Sequence, residues 1–148
     1  MTEDRLLSTF YLANLSFGVD VHQVQEVIRH LEITRVPLAA PAVSGLINLR
    51  GHIITAIDAR RSLGLPARPP AQVFVHLILR MDEGLVSLLV DDIGGVVEFG
   101  ERDYESPPAT LKGKLRDMVS GAYKMPGQLL LILDIERLLT EASAEIPV

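Results

Sequence analysis

A mainly β protein built from two like units of short strands is what the sequence predicts, and three observations carry that reading. The chain repeats itself. Residues 43–63 align without a gap on residues 119–139, with identities at Val43/Val119, Ser44/Ser120, Gly45/Gly121, Gly51/Gly127, Asp58/Asp134, Arg61/Arg137 and Leu63/Leu139. Chance would give roughly one or two identities over such a stretch. The apolar residues come in short runs closed by turn residues, with 11 Gly and 9 Pro among 148 residues, the spacing of small barrels or a sandwich. Hydrophobic residues make up 48% and charged residues 22%, enough to bury a core. A weaker upstream match sets Asp20, Val21, Val24, Glu26 and Val27 against Asp92, Ile93, Val96, Glu98 and Phe99. One supersecondary unit therefore occurs twice. Each copy is too small to bury enough apolar surface alone, so the two should share an interface.

The elements follow in order. Residues 6–13 open the first unit as a strand. Phe17, Val19 and Val21 alternate with Gly18 and Asp20, the pattern of a half-buried strand. Residues 22–27 fit one helical turn, and Pro37 and Pro41 bracket a loop. Residues 43–49 and 52–57 read as strands joined around Arg50-Gly51. Asp58 caps a short helix over 59–63, which Gly64 and Pro66 stop. Residues 64–71 hold Pro66, Pro69 and Pro70 and form the best linker, dividing the chain into units 1–70 and 71–148. Residues 72–81 and 85–90 make a hairpin around Asp82-Glu83-Gly84. Gly94-Gly95 reads as a bend or bulge. A strand over 128–133, a cap at Asp134 and a C-terminal helix over 135–142 close the second unit. Val19, Val21, Ile47, Ile54, Leu77, Leu88, Leu130 and Ile132 are among the expected interior residues.

The balance of 14 basic against 19 acidic residues, net −5, argues against nucleic acid or an anionic membrane as partner. The absence of cysteine excludes disulfides, a thiol nucleophile and cysteine-ligated metals. Mean hydropathy is +0.28, but Asp91-Asp92 and Asp134 break the richest apolar runs well short of a membrane span. Residues 1–4 do not resemble a signal peptide. A cytoplasmic protein without membrane insertion is the expectation. No phosphate loop and no nucleophile elbow occur. His22, His30, His52 and His76 lack metalloprotease spacing, and Asp91-Asp92 alone is no cation cage. No catalytic residue, metal or cofactor is expected, and the weight moves to a binding module. The competing reading is a small ligand-binding or enzymatic β-barrel using Asp91, Asp92 and a histidine.

The two repeats differ where function would show. Asn48-Leu49-Arg50 of the first copy faces Lys124-Met125-Pro126 of the second, so Arg50 is not needed to build the unit. A forked guanidinium at a tight turn suits a carboxylate or backbone carbonyls, and Glu26 is the natural intramolecular partner.

Gln23-Val24-Gln25-Glu26-Val27, Thr34-Arg35-Val36-Pro37, Gly45-Leu46-Ile47-Asn48-Leu49-Arg50-Gly51, Ile57-Asp58-Ala59-Arg60, Val90-Asp91-Asp92-Ile93 and the closing Leu131-Ile132-Leu133-Asp134-Ile135-Glu136-Arg137-Leu138-Leu139 resemble, in order, the signatures of CheW-type coupling proteins of bacterial chemotaxis. The resemblance implies two tandem SH3-like five-stranded β-barrels with short helices and a C-terminal helix, the first strand near 6–13 being one that family members tend to share between the barrels. It implies an adaptor joining the cytoplasmic tip of chemoreceptors to the regulatory domain of a CheA-type histidine kinase, monomeric alone and assembled in arrays. It puts Val24, Glu26, Asn48, Arg50 and Gly51 on the receptor-facing side, with Ile93, Val96 and Phe99 lining the groove from the second barrel, and the kinase contact at the barrel ends. Ala56, Ala59 and His52 depart from the usual family pattern.

Overall fold

The structure, a computed structural model, describes residues 5–144; residues 1–4 and 145–148, including the acidic start, lie outside the described residues. The chain is mainly β; the described residues form eleven strands in two sheets and three short α-helices: β1 Arg5–Leu12, β2 Leu15–Asp20, β3 Val24–Ile28, β4 Val43–Leu49, β5 His52–Asp58, α1 Ala59–Ser62, β6 Val75–Met81, β7 Gly84–Val90, β8 Asp92–Phe99, β9 Tyr104–Glu105, α2 Gly113–Met118, β10 Val119–Met125, β11 Gln128–Leu133 and α3 Ile135–Ala144. Residues 22–27 are not a helical turn throughout. A single 3-10 turn over Val21–Gln23, capped by Asp20, gives way at Val24 to a strand.

One sheet has the order β3-β6-β7-β5-β4, the other β8-β1-β2-β11-β10-β9. Leaving β9 aside, the orders match term by term, and each holds one parallel pair, β5 with β7 and β11 with β2. The hairpins have changed places. β6–β7, which follows the proline-rich linker, completes the sheet of β3–β5. The early hairpin β1–β2 completes the sheet of β8, β10 and β11. The sheets therefore do not part at residue 70. β5 and β6, on either side of that point, belong to the same sheet, and the chain crosses between the sheets at the 3-10 turn before β3 and at Asp91 between β7 and β8.

The long repeat survives in detail. In both copies the register slips by one residue at the bulge between Val43 and Gly45, or Val119 and Gly121. Asp58 N–H donates to Ala42 O at 2.8 Å, and Asp134 N–H donates to Met118 O at 2.8 Å. Asp58 and Asp134 then each accept the backbone N–H three residues on, Arg61 and Arg137. Glycine is required at the first bulge by close approach, since a Cβ on Gly45 would strike the Thr34 carbonyl; one on Gly121 would meet the outer end of the Tyr104 ring, which would have to shift.

The weaker upstream match is corrected by the pairing. Leu79 and Phe10 stand at the same step before their hairpin turns, which end in the pairs Met81–Gly84 and Leu12–Leu15. Leu79 faces Val24 and Phe10 faces Ile93, so Val24 corresponds to Ile93 rather than to Val96. Both edge strands are bulged just beyond that pair, and in β8 the bulge falls at Gly94-Gly95 as the sequence led us to expect.

The largest apolar cluster lies between the sheets. Phe10, Phe17 and Val19 of one sheet meet Val75, Leu77, Leu79 and Leu88 of the other, with Leu133, Ile135 and Leu138 closing the end. Smaller clusters fill each sheet's other face, around Ile47, Ile54, Ile78 and Leu89 in one and around Leu7, Tyr123, Leu130 and Ile132 in the other. β6 and β7 are thus buried on both faces, which is why their sequences run apolar without alternation. Of the expected interior residues, Val21 is only half-buried, because it falls on the 3-10 turn instead of continuing β2.

Burial on both faces strands two polar side chains, and they satisfy each other. His76 and Ser87 are both fully buried, with His76 Nδ1 3.0 Å from Ser87 Oγ and His76 Nε2 3.2 Å from Leu31 O. A carbonyl only accepts, so Nε2 carries a proton; burial favours the neutral ring, in which Nδ1 accepts from the serine hydroxyl. Desolvation by burial pushes the His76 pKa below its ordinary value. A histidine lowered in this way is protonated more readily in the unfolded chain, so its contribution is complete above about pH 6.5 and is lost as pH falls below that. The urea midpoint should therefore drop between pH 7.5 and pH 5.5, and His76→Gln should flatten that drop.

Candidate partner-binding surface

The β4–β5 turn is the most unusual piece of backbone on the first sheet. Leu49 pairs with His52, so Arg50 and Gly51 alone make the turn, with φ of 50° and 89°. Two positive φ values in a two-residue hairpin loop define a type I′ turn, where Asn and Gly are the preferred residues. Asn48 Oδ1 accepts the Gly51 N–H at 2.8 Å and holds the turn closed. A left-handed conformation costs a residue such as arginine about 1–2 kcal/mol. The counterpart turn avoids that cost. Met125 pairs with Gln128, and Pro126 followed by Gly127 at φ 75° makes a type II turn.

The Arg50 side chain leaves the turn across the sheet edge. Its Nη2 donates to Glu26 Oε1 at 2.5 Å, with the Arg50 side chain 65% and the Glu26 side chain 27% exposed. Glu26 reaches this position because the bulge in β3, between Val24 opposite Leu79 and Glu26 opposite Ile78, shifts the strand's facing by one residue. By the strand pairing, Gly95 occupies the place of Glu26 in the other sheet and Pro126 the place of Arg50. The pair therefore belongs to one sheet only.

The other predicted residues fall into three situations. Val24 and Ile93 are half-buried against the core between the sheets. Val96 on β8 is 57% exposed. Phe99 stacks on the buried Tyr123 with ring centroids 4.5 Å apart, so most of its contact is with its own sheet. β3 and β8 are the edge strands of their sheets, and Arg29, just past the end of β3, reaches Asp92 at the start of β8 at 3.5 Å. The two edges meet there, with backbone on each available to a partner.

Asp91 and Asp92 part company in the structure, each meeting an arginine. Asp92 turns outward, to Arg29 and to its own sheet's Ile93 N–H. Asp91 turns inward, where Arg60 Nε and Nη2 grip its two oxygens at 2.9 and 2.5 Å. The Ala13 N–H donates to the same carboxylate at 2.9 Å, and Arg60 Nη1 donates to Pro66 O at 3.0 Å. Burial pushes the Asp91 carboxyl up, but the Arg60 and Ala13 hydrogen bonds outweigh it, and its pKa lies below the ordinary carboxylate value. That cluster ties α1, the linker, the β1–β2 turn and the β7–β8 crossing into one joint. Sequence reasoning missed it. The signal was an aspartate directly closing the apolar run of β7 and an arginine beside the buried Ala59 in a short helical turn, each of which needs a partner once buried. Among the described residues, no group of three or more His, Asp or Glu side chains could hold a metal ion, and no helix is long and apolar enough to cross a membrane.

Fold and surface together define a double-sheet β protein with a paired, exposed guanidinium and carboxylate on one sheet, the form of a protein-binding module. The family model described as the CheW-like domain matches residues 7–143, and the chain belongs to that family. Relatives include the chemotaxis protein CheW of Treponema pallidum, 26% identical over 89% of this chain and 80% of its own, and that of Bacillus subtilis, 27% identical over 92% and 87%. The crystal structure of the scaffolding protein TtCheW from Thermoanaerobacter tengcongensis superposes with a TM-score of 0.79 at 27% identity, covering 88% of this chain and 89% of that one.

Proposed function

We propose that the chain is a noncatalytic adaptor that couples the cytoplasmic tips of chemoreceptors to the regulatory domain of a CheA-type histidine kinase in chemosensory arrays. The observation that carries this reading is the Arg50–Glu26 pair. The second unit builds its turn without strain, so the left-handed arginine of the first is retained for something other than folding. Held by Glu26, its guanidinium is presented in a fixed direction, with free donors for backbone carbonyls or carboxylates of a helical hairpin. Val24, Asn48 and Gly51 belong to the same receptor-facing surface, with Ile93, Val96 and Phe99 contributing from β8. The adaptor works on the cytoplasmic side of the membrane through its partners, as a monomer that joins arrays.

Titration by calorimetry of a soluble receptor-tip fragment, and separately of the kinase regulatory domain, tests the reading. Both should bind, without competing, at micromolar affinity. Contacts of modest area give such values, and multivalency in an array raises the working strength. Binding of neither partner, or pairwise binding at nanomolar strength, would contradict it.

A further inference from the structure

At the opposite end of the β4–β5 hairpin from Arg50 lies a second concavity. Residues 33–41 arch beside the start of β4 and the end of β5, leaving an open cavity of about 830 Å³. Each of these strands has seven residues, so the cavity lies about 20 Å from the turn at the strands' usual rise. Three guanidiniums line it, those of Arg35, Arg61 and Arg68, against one carboxylate, Asp58, which already caps the Arg61 N–H. Among the described residues none of the three forms an ion pair, and Arg68 lies over the Phe74 ring at 4.1 Å. Gathering like charges raises the local potential, and in a chain of net charge −5 this concavity stands out in sign from the protein as a whole.

Leu38 adds an independent signal. It lines the same cavity, is 92% exposed and has φ of 65°. A γ-branched aliphatic in water and in the left-handed region is unfavourable twice over for the free protein. Such costs concentrate where a partner covers the residue.

We propose that this concavity docks an acidic peptide segment, whose carboxylates pair with Arg35 and Arg61 while an aliphatic side chain sets against Leu38 and Val36. The occupant is negative because the lining is positive and unpaired. It is a linear segment because the cavity is an open trough beside a loop. The site is separate from the surface assigned to the receptor, so either can fail without the other.

The test uses the full chain and a fluorescein-labelled peptide, Glu-Leu-Glu-Glu-Leu-Glu, followed by anisotropy, with Lys-Leu-Lys-Lys-Leu-Lys as its opposite-charge control. The acidic peptide should bind saturably, more weakly as salt rises, and the basic one should not. Arg35→Glu and Arg61→Glu should each weaken binding about tenfold or more, the loss of a charge-assisted contact. Lys124→Glu, the same charge change on the other sheet, should leave it intact. Leu38→Gly should weaken binding without lowering the melting temperature, because glycine accepts the left-handed backbone. Absence of saturable binding, or equal losses in all three charge variants, would overturn the proposal. So would concentration-dependent dimerisation that Leu38→Gly abolishes with no peptide binding, which would give the trough to a second copy of the chain.

Discussion

Asp91→Ala should destabilise the protein by about 3–5 kcal/mol, the usual cost of removing one partner from a buried ion pair. The Arg60 and Asp91 side chains are only 9% and 12% exposed, so the guanidinium left behind would stay desolvated with its forked partner gone. The loss would also fall at a critical place. Asp91 is the single residue between β7 and β8, and its backbone N–H donates to Tyr11 O while its carboxylate holds Arg60 and the Ala13 N–H. Arg60→Ala should cost a similar amount. The double variant should cost clearly less than the sum, since it leaves no unpaired charge. Urea unfolding of the three variants measures this. Single-variant losses under about 1 kcal/mol would show that the joint does not hold the crossing. The pair also sets an acid limit. Because the folded Asp91 pKa is depressed, its contribution is present above the ordinary carboxylate value and disappears as pH falls through the folded one.

Arg50 should behave in the opposite way, with a large effect on binding and almost none on stability. An ion pair so exposed is worth only about 0–1 kcal/mol once solvent screens it. Arg50→Gly also removes the left-handed strain, offsetting the lost pair, so the fold should hold or gain slightly. Receptor-dependent kinase activation should nevertheless fall, as it should on charge reversal at Glu26. The double swap Glu26→Arg with Arg50→Glu should recover little, because the partner meets each group at its own place. Kinase regulatory-domain binding should survive all these changes. Full recovery by the double swap would mean that the pair matters only to itself.

Much of this architecture was legible because the same local physics occurs twice. The bulge glycines, the aspartate caps and the apolar strands of 43–63 and 119–139 left an ungapped signature, and the turn where the copies differ pointed to Arg50 and to Glu26. The hairpin exchange was not legible. Periodicity says that β6–β7 is a hairpin, but which sheet it joins is settled by long-range pairing that leaves no local mark. The division at residue 70 followed the prolines, which mark a linker but not a boundary between sheets. Val24 and Val96 looked equivalent because both lie in Asp-x-x-x-Val runs, whereas the bulges place Val24 beside Ile93 in structural order. The Arg60–Asp91 pair left no local mark either, since the two residues lie 31 apart in sequence.

The measurement that bears most directly on the adaptor reading is calorimetric titration of a receptor-tip fragment into wild type and Arg50→Ala, with thermal melting of the same two preparations. The account predicts micromolar binding to wild type, at least about tenfold weaker binding to the variant, and melting temperatures that agree within a few degrees. Normal binding by Arg50→Ala, or a variant that no longer folds, would contradict it and leave Arg50 an ordinary or structural turn residue.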